Sequence, residues 1–326
     1  MVVNILLFAV GLVLLILGGD WFVDSASGIA RRFRLPELLI GATVVSIGTT
    51  LPEVMVSAQG ALAGSGGMAY GNAIGSIICN TALIAALTVA IKPSKVNRKT
   101  LVLPAVFFFV AAIFYACVAY FFGIFSRTVG IVLLGLFVTY IALSLIQMRK
   151  GQAPTVPEKE TPAEEEQKKD SLIKDIIFLV LGAAAIAFGA NLLVNNGTAI
   201  AKELGVPETV IALTFVALGT SLPELVTAIT SLIKGHGSLS LGNVIGANLF
   251  NLVLVNGVST VISPFPVPAE STIAGHPASL VMDIPVMLGV MLLLIVPTFI
   301  RGKLSRVQGI LLLAVYAAFC TLQFVI

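Results

Sequence analysis

Long apolar runs separated by short polar breaks set the rhythm of this chain. Windows such as NILLFAVGLVLLILGG and LVLPAVFFFVAAIFYACVAYFF are comparable to or longer than the roughly 18 apolar residues that mark a bilayer-spanning helix. Cutting the pattern at charges, prolines and glycines predicts ten helices. They fall near residues 4–30, 36–63, 69–91, 100–122, 127–148, 174–200, 207–233, 239–262, 279–300 and 305–325. The first run is too long for a signal peptide and no charged segment precedes it, so a retained helix is expected. Composition agrees: 58% of residues are hydrophobic, 11% are charged, and the mean hydropathy is +1.05. A soluble domain carries about 25% charged residues. The expected class is an all-α polytopic membrane protein whose main partner is the lipid bilayer.

Charge then assigns sides. The first, third, fifth, seventh and ninth connections hold 17 of the 19 lysines and arginines; only Arg127 and Lys202 lie elsewhere. Basic residues accumulate on cytoplasmic loops. The odd connections are therefore expected inside a cell membrane, with both termini outside. The one polar segment, residues 149–173, carries charges of both signs and three prolines and has too few apolar residues for a core. It reads as a flexible cytoplasmic linker. The net charge of +3 comes from residues bordering spans and implies no nucleic-acid partner. The three cysteines, Cys79, Cys117 and Cys320, all sit in apolar runs and suit neither a disulfide framework nor a metal cluster. No cofactor and no obligatory protein partner is expected.

Placing Leu35 on Val206 lays the chain over itself without a gap. LPELLIGATVVSIGTTLPE aligns with VPETVIALTFVALGTSLPE, and GNAIGSIICN with GNVIGANLFN. From Leu35–Asn80 against Val206–Asn251, 17 of 46 positions are identical. The expected organisation is one five-helix repeat over 1–148, the linker over 149–173, and a second repeat over 174–326. Because five is odd, the second copy must enter the membrane from the opposite side. Inverted repeats with interrupted helices belong to secondary transporters, whose substrates bind near the midplane. Helices 2 and 7 are the ones expected to break, at Pro52 and Pro223.

Each proline removes a donor and crowds the carbonyl four residues earlier, that of Gly48 or Gly219. Freed carbonyls are costly in hydrocarbon unless something else satisfies them. Around them lie the hydroxyls of Thr49, Thr50, Thr220 and Ser221 and the carboxylates of Glu53 and Glu224. Neither motif contains His, Cys or Met. Hard oxygens alone suit Ca²⁺, Na⁺ or Mg²⁺, and calcium best tolerates six to eight irregular oxygen ligands. Intramembrane carboxylates mark ion pathways. On the next helix Asn72, Ser76 and Asn80 are spaced to share one face, and Asn243, Ala247 and Asn251 repeat them. Gly71-xxx-Gly75 and Gly242-xxx-Gly246 allow close helix approach, which brings these polar groups to the broken segments.

At these residues the sequence resembles the cation/calcium exchanger superfamily, and within it the prokaryotic sodium/calcium antiporters. GTTLPE and GTSLPE, followed by GNAIGSIICN and GNVIGANLFN, look like that family's two alpha repeats, and the likeness covers nearly the whole chain. It implies alternating access, with Ca²⁺ exchanged for several Na⁺ at a central cluster. Carried over, the calcium ligands are Glu53, Glu224 and the carbonyls of Thr49 and Thr220. One sodium site uses the Ser46 carbonyl, Thr49 and Ser76; its mate uses the Ala217 carbonyl and Thr220. Asn80 and Asn251 complete the centre. Thr50, Ser221, Pro52, Pro223, Asn72 and Asn243 support it. Ala247 departs from the pattern, because a serine there would supply a hydroxyl. Asn251 stands where potassium-dependent relatives carry aspartate, which argues against potassium dependence.

A second reading is Ca²⁺/H⁺ exchange with Glu53 and Glu224 alternately protonated. An intramembrane acid/base enzyme fits less well, since the chain has no HExxH, GxSxG or serine–histidine pairing, and a passive channel has no use for inverted repeats. Asp20 and Asp24 correspond to Asn191 and Asn195; they either line a cytoplasmic vestibule or pair with Arg31 or Arg34. Glu37 and Glu208 follow Pro36 and Pro207, where a carboxylate complements the positive end of a helix.

Overall fold

A computed structural model describes residues 1–151, 162–204, 219–269 and 271–323. Among these described residues are ten apolar helices in chain order. They are α1 Val2–Arg32, α2 Glu37–Leu62, α3 Gly66–Ile91, α4 Arg98–Phe122 and α5 Arg127–Gly151. The second half supplies α6 Pro162–Glu203, α7 Leu222–Ile233, α8 Gly237–Ile262, α9 Ser279–Arg301 and α10 Arg306–Gln323. Nine have a stretch long and apolar enough to cross a membrane, and α7 is a shorter apolar helix. The chain is an all-α polytopic membrane protein.

The duplication reappears in the element ends. α1, α2 and α3 end at Arg32, Leu62 and Ile91; α6, α7 and α8 end at the matched positions of the second copy, Glu203, Ile233 and Ile262. The packing of α1 on α6 shows their relative direction. A Cβ on Gly11 would lie 2.8 Å from the Gly189 carbonyl oxygen, and one on Gly182 would lie 2.8 Å from that of Gly18. Moving up α1 from Gly11 to Gly18 therefore means moving down α6 from Gly189 to Gly182. The two matched helices run antiparallel, as an inverted repeat requires. Glycine is needed here because the backbones touch.

α3 and α8 are the most buried spans, while α1, α5, α6 and α10 are among the least. Around α8, Tyr115, Phe125, Tyr140 and Phe250 pack ring against ring. Short strands β1 (Ile124–Phe125) and β2 (Phe265–Pro266) pair antiparallel, and β3 (Thr272–Ile273) with β4 (His276–Pro277) forms a hairpin. These strands lie in the even connections, outside the ten-helix pattern read from hydropathy.

The expectation of a break at Pro52 needs correction. α2 is not severed at Pro52: it stays helical from Glu37 to Leu62, with a separate π-helical turn over Gly41–Val45. Pro223 lies in the first turn of α7 after a turn at Gly219–Thr220, where its missing N–H and fixed φ cost least. The 149–173 segment is partly helical, since α5 runs to Gly151 and α6 begins at Pro162. Ala217, Pro207 and Glu208 lie outside the described residues.

Candidate functional site

The central site is built where four helices meet. π-helical turns start at Asn80 in α3 and at its repeat counterpart, Asn251, in α8. A π turn inserts one residue and re-aims the side chains around it, and such turns concentrate at functional positions. The Asn80 turn packs against α7, which carries Glu224; the Asn251 turn packs against α2, which carries Glu53. Each turn thus meets the helix bearing the other copy's glutamate.

Glu53, Glu224, Asn80 and Asn251 are fully buried. The two carboxylates lie close enough for each to feel the other's charge. Thr49 and Thr50 stand within range of the Glu224 carboxylate, but none of the four carboxylate oxygens has a hydrogen-bond partner of good geometry. Both side-chain atoms of Asn80 and of Asn251 are likewise unpartnered, as are Thr50 Oγ1 and Ser221 Oγ. That is eight oxygens and two amide nitrogens. Natural proteins leave few buried polar atoms unsatisfied, and each such atom needs an explanation. For a carboxylate the cost is largest. Eight hard oxygens, four of them on two acids, have the chemistry of a site for Ca²⁺ or Na⁺. Among the described residues no group of three or more His, Cys, Asp and Glu occurs, so the negative charge here is limited to two carboxylates.

A second layer holds this cluster. Asn72 Nδ2 donates to the Glu53 carbonyl at 3.3 Å and to Ser57 Oγ at 2.8 Å. Asn243 Nδ2 instead donates to Thr227 Oγ1 at 2.8 Å, which donates on to the carbonyls of Pro223 and Glu224. Asn243 Oδ1 accepts from Ser46 Oγ and Thr49 Oγ1, both at 3.3 Å. The Ser46 carbonyl accepts from Thr49 Oγ1 at 3.5 Å. Tyr140 donates to the Ala42 carbonyl in the π turn of α2 at 2.8 Å, and Asn256 to the Asn251 carbonyl at 3.3 Å. The motifs do not point to Ser57, Thr227, Tyr140 or Asn256. A polar residue inside an apolar span is the signal available for each.

A second buried polar group also escapes the motifs. Asn248 donates to Thr81 Oγ1 at 2.7 Å, and both approach Met291 Sδ at 3.2 Å. Their repeat counterparts, Ile77 and Leu252, are apolar, so no motif pair announces them.

Ser76 and Thr220 line a cavity of about 550 Å³ that also touches Asn72, Asp283 and Gln323. It opens on the face holding the even connections and the end of α10. The opposite face is closed. There Gly242 packs on the Leu38 backbone and Gly246 on Ala42. Lys234 Nζ lies 3.1 Å from Asp20 Oδ1 and 2.8 Å from Asp24 Oδ2. These aspartates therefore pair with Lys234 rather than with Arg31 or Arg34. Burial pulls the Lys234 ammonium pKa down, but the bonds and charges of Asp24 and Asp20 outweigh this and raise it. Glu37 sits in the first turn of α2, and its Oε1 is also 2.8 Å from His236 Nδ1. Asn195, the counterpart of Asp24, donates to Asn191 at 3.0 Å.

Comparison with known proteins converges on one family. The model of the sodium/calcium exchanger protein family matches residues 3–146 and 174–325. The sodium/calcium exchanger MaX1 of Methanosarcina acetivorans is 33% identical over 99% of both chains. The membrane protein MJ0091 of Methanocaldococcus jannaschii is 35% identical, covering 95% of this chain and 94% of its own. A solved structure of the sodium-calcium exchanger NCX_Mj, soaked with 10 mM Na⁺ and zero Ca²⁺, has a TM-score of 0.81 and 32% identity over 98% of each chain. With its paired acidic motifs and its ten-helix architecture, this chain belongs to the sodium/calcium exchanger protein family.

Proposed function

We propose that the protein is a secondary antiporter that moves Ca²⁺ one way across the cell membrane and Na⁺ the other, by alternating access. The observation that carries this reading is the cluster of eight unpartnered buried oxygens on Glu53, Glu224, Asn80, Asn251, Thr50 and Ser221. Two carboxylates balance one divalent ion. With carbonyls of Thr49 and Thr220 they reach the six to eight oxygens that calcium accepts. Sodium takes the flanking positions: the Ser46 carbonyl, Thr49 and Ser76 on one side, and Thr220 with the Ala217 carbonyl on the other.

One pair of carboxylates cannot neutralise a full load of both ions, so the two cargoes compete, and competition at a shared site produces exchange. Alternation follows from the asymmetry of the halves. The site is open toward the even connections and sealed toward the odd ones; exchanging the conformations of the two copies exchanges the open face. The basic residues on the odd connections support placing those loops in the cytoplasm and both termini outside.

The deciding experiment is calcium flux into proteoliposomes. A sodium gradient imposed without a pH difference should drive calcium uptake. Uptake driven by a proton gradient and indifferent to sodium would replace sodium with protons as the counter-ion.

A further inference from the structure

The cavity has one feature that the exchange site does not use. Ser76 and Thr220, neighbours in sequence of the cation cluster, line it together with Asp283, Ser271 and Gln323. Asp283 is the only charged residue among its described lining residues. The carboxylate is fixed in place: it closes the π-helical first turn of α9, and its Oδ1 accepts from Gln323 Nε2 of α10 at 3.2 Å. A fixed negative charge in a low-dielectric recess focuses the field and raises the local cation concentration.

We propose that Asp283 is a recruiting residue for the cargo. It does not bind in the central cluster but draws cations into the cavity on the way to Glu53 and Glu224, and favours divalent over monovalent ions. The preference follows from charge, since a divalent ion feels twice the attraction of a monovalent one at the same distance. A different role for the same residue is structural, because a carboxylate in the first turn of a helix complements its dipole. The two roles separate by ionic strength. Attraction acting across a wet cavity is screened by salt on the scale of the Debye length, roughly 10 Å at 0.1 M. A change in helix stability or local geometry would persist at high salt.

This inference rests on the exchanger reading. The experiment uses the full-length protein in oriented proteoliposomes, with calcium and sodium titrated separately on each face. Asp283→Asn should raise the half-saturating calcium concentration on the cavity face by roughly tenfold at low ionic strength, within the range of electrostatic steering. Sodium should shift by only about threefold, the square root of that factor, as expected for half the charge. Both shifts should collapse at high concentrations of an inert salt. The opposite face and the maximal rate should be unchanged, and Asp283→Glu should restore wild-type behaviour. A shift that persists at high salt, or is equal for the two ions, or is absent, overturns the proposal. Failure of wild-type protein to couple the two ions sinks the exchanger reading instead, so the two failures are distinguishable.

Discussion

Gly75 and Gly246 hold matched positions in the two copies, yet their surroundings are opposite. A Cβ on Gly246 would lie 2.7 Å from the Ala42 carbonyl oxygen, whereas one on Gly75 would meet no described residue within 4 Å. Gly242 and Gly71 repeat the contrast: Gly242 is pressed on the Leu38 backbone and Gly71 has no described residue within reach of a Cβ. α8 is clamped onto α2, while the matching part of α3 borders the cavity.

If transport exchanges the two arrangements, Gly75 must be small only in the other state. Gly246→Ala should disfavour the conformation described here, and Gly75→Leu should disfavour its alternate. Both should cut transport by at least about tenfold, since about 1.4 kcal/mol against one state changes its population by that factor. Labelling of the cavity-lining Cys320, in a Cys79→Ala and Cys117→Ala background, tells them apart. It should fall in Gly246→Ala and stay level or rise in Gly75→Leu. Movement in the same direction in both variants would contradict reciprocal packing.

Glu53→Gln and Glu224→Gln each leave a divalent ion half-balanced in a buried site, a cost of several kcal/mol. Each should weaken calcium affinity at least about a hundredfold, at about 1.4 kcal/mol per tenfold. Equilibrium calcium binding to purified protein is the measurement. High-affinity binding in either variant would remove that residue from the site.

Ser76 lines the cavity while its counterpart Ala247 is fully buried and offers only a methyl. Losing one polar ligand costs roughly 1–3 kcal/mol. Ser76→Ala should weaken sodium coupling more than calcium binding, and Ala247→Ser should steepen the sodium dependence. Calcium flux across a sodium titration reads both. Unmoved curves would show that sodium is not held at these positions and would favour protons.

Lys234 ties α7 to α1 through Asp20 and Asp24 on the closed face. Its raised pKa means that the charged form, and the stability it confers, is fully present at neutral pH. That stability is lost only as pH rises through and beyond the ordinary lysine value of about 10.4. Lys234→Met should favour opening of this face and so reduce Cys320 labelling from the cavity, and Asp20→Asn with Asp24→Asn should act in the same direction. Labelling identical to wild type in both would make the ion pairs incidental, as partly exposed pairs often are.

The orientation has its own test. A cysteine introduced by Glu160→Cys should react only with reagents on the cytoplasmic face. Reaction with an impermeant reagent from outside would reverse the assignment.

Much of the site is legible in the sequence because its motifs are local. Glu53, Glu224, Asn80 and Asn251 stand out as polar groups in apolar runs, and the internal repeat pairs them. Their second layer is harder to read. Asn243 reaches the Glu224 carbonyl through Thr227, 16 residues away, and Tyr140 reaches Ala42 from a helix 98 residues away. Sequence spacing carries no trace of such long-range bonds. Pro52 misleads for a different reason: a proline removes one hydrogen bond and crowds one carbonyl, and here the helix runs on through it.

By itself the sequence determined the class, the ten spans, the duplication and the acids at its centre. Lipid demands apolar side chains, and any polar exception stands out against them. The tertiary structure alone decided which face is open, that Lys234 and not an arginine holds Asp20 and Asp24, and that the Asn80 turn packs on the Glu224 helix and the Asn251 turn on that of Glu53. The two copies carry nearly the same local motif, so local rules assign them the same conformation. One copy nonetheless lines a cavity and the other is sealed, because each arrangement is set by what the rest of the bundle packs against it.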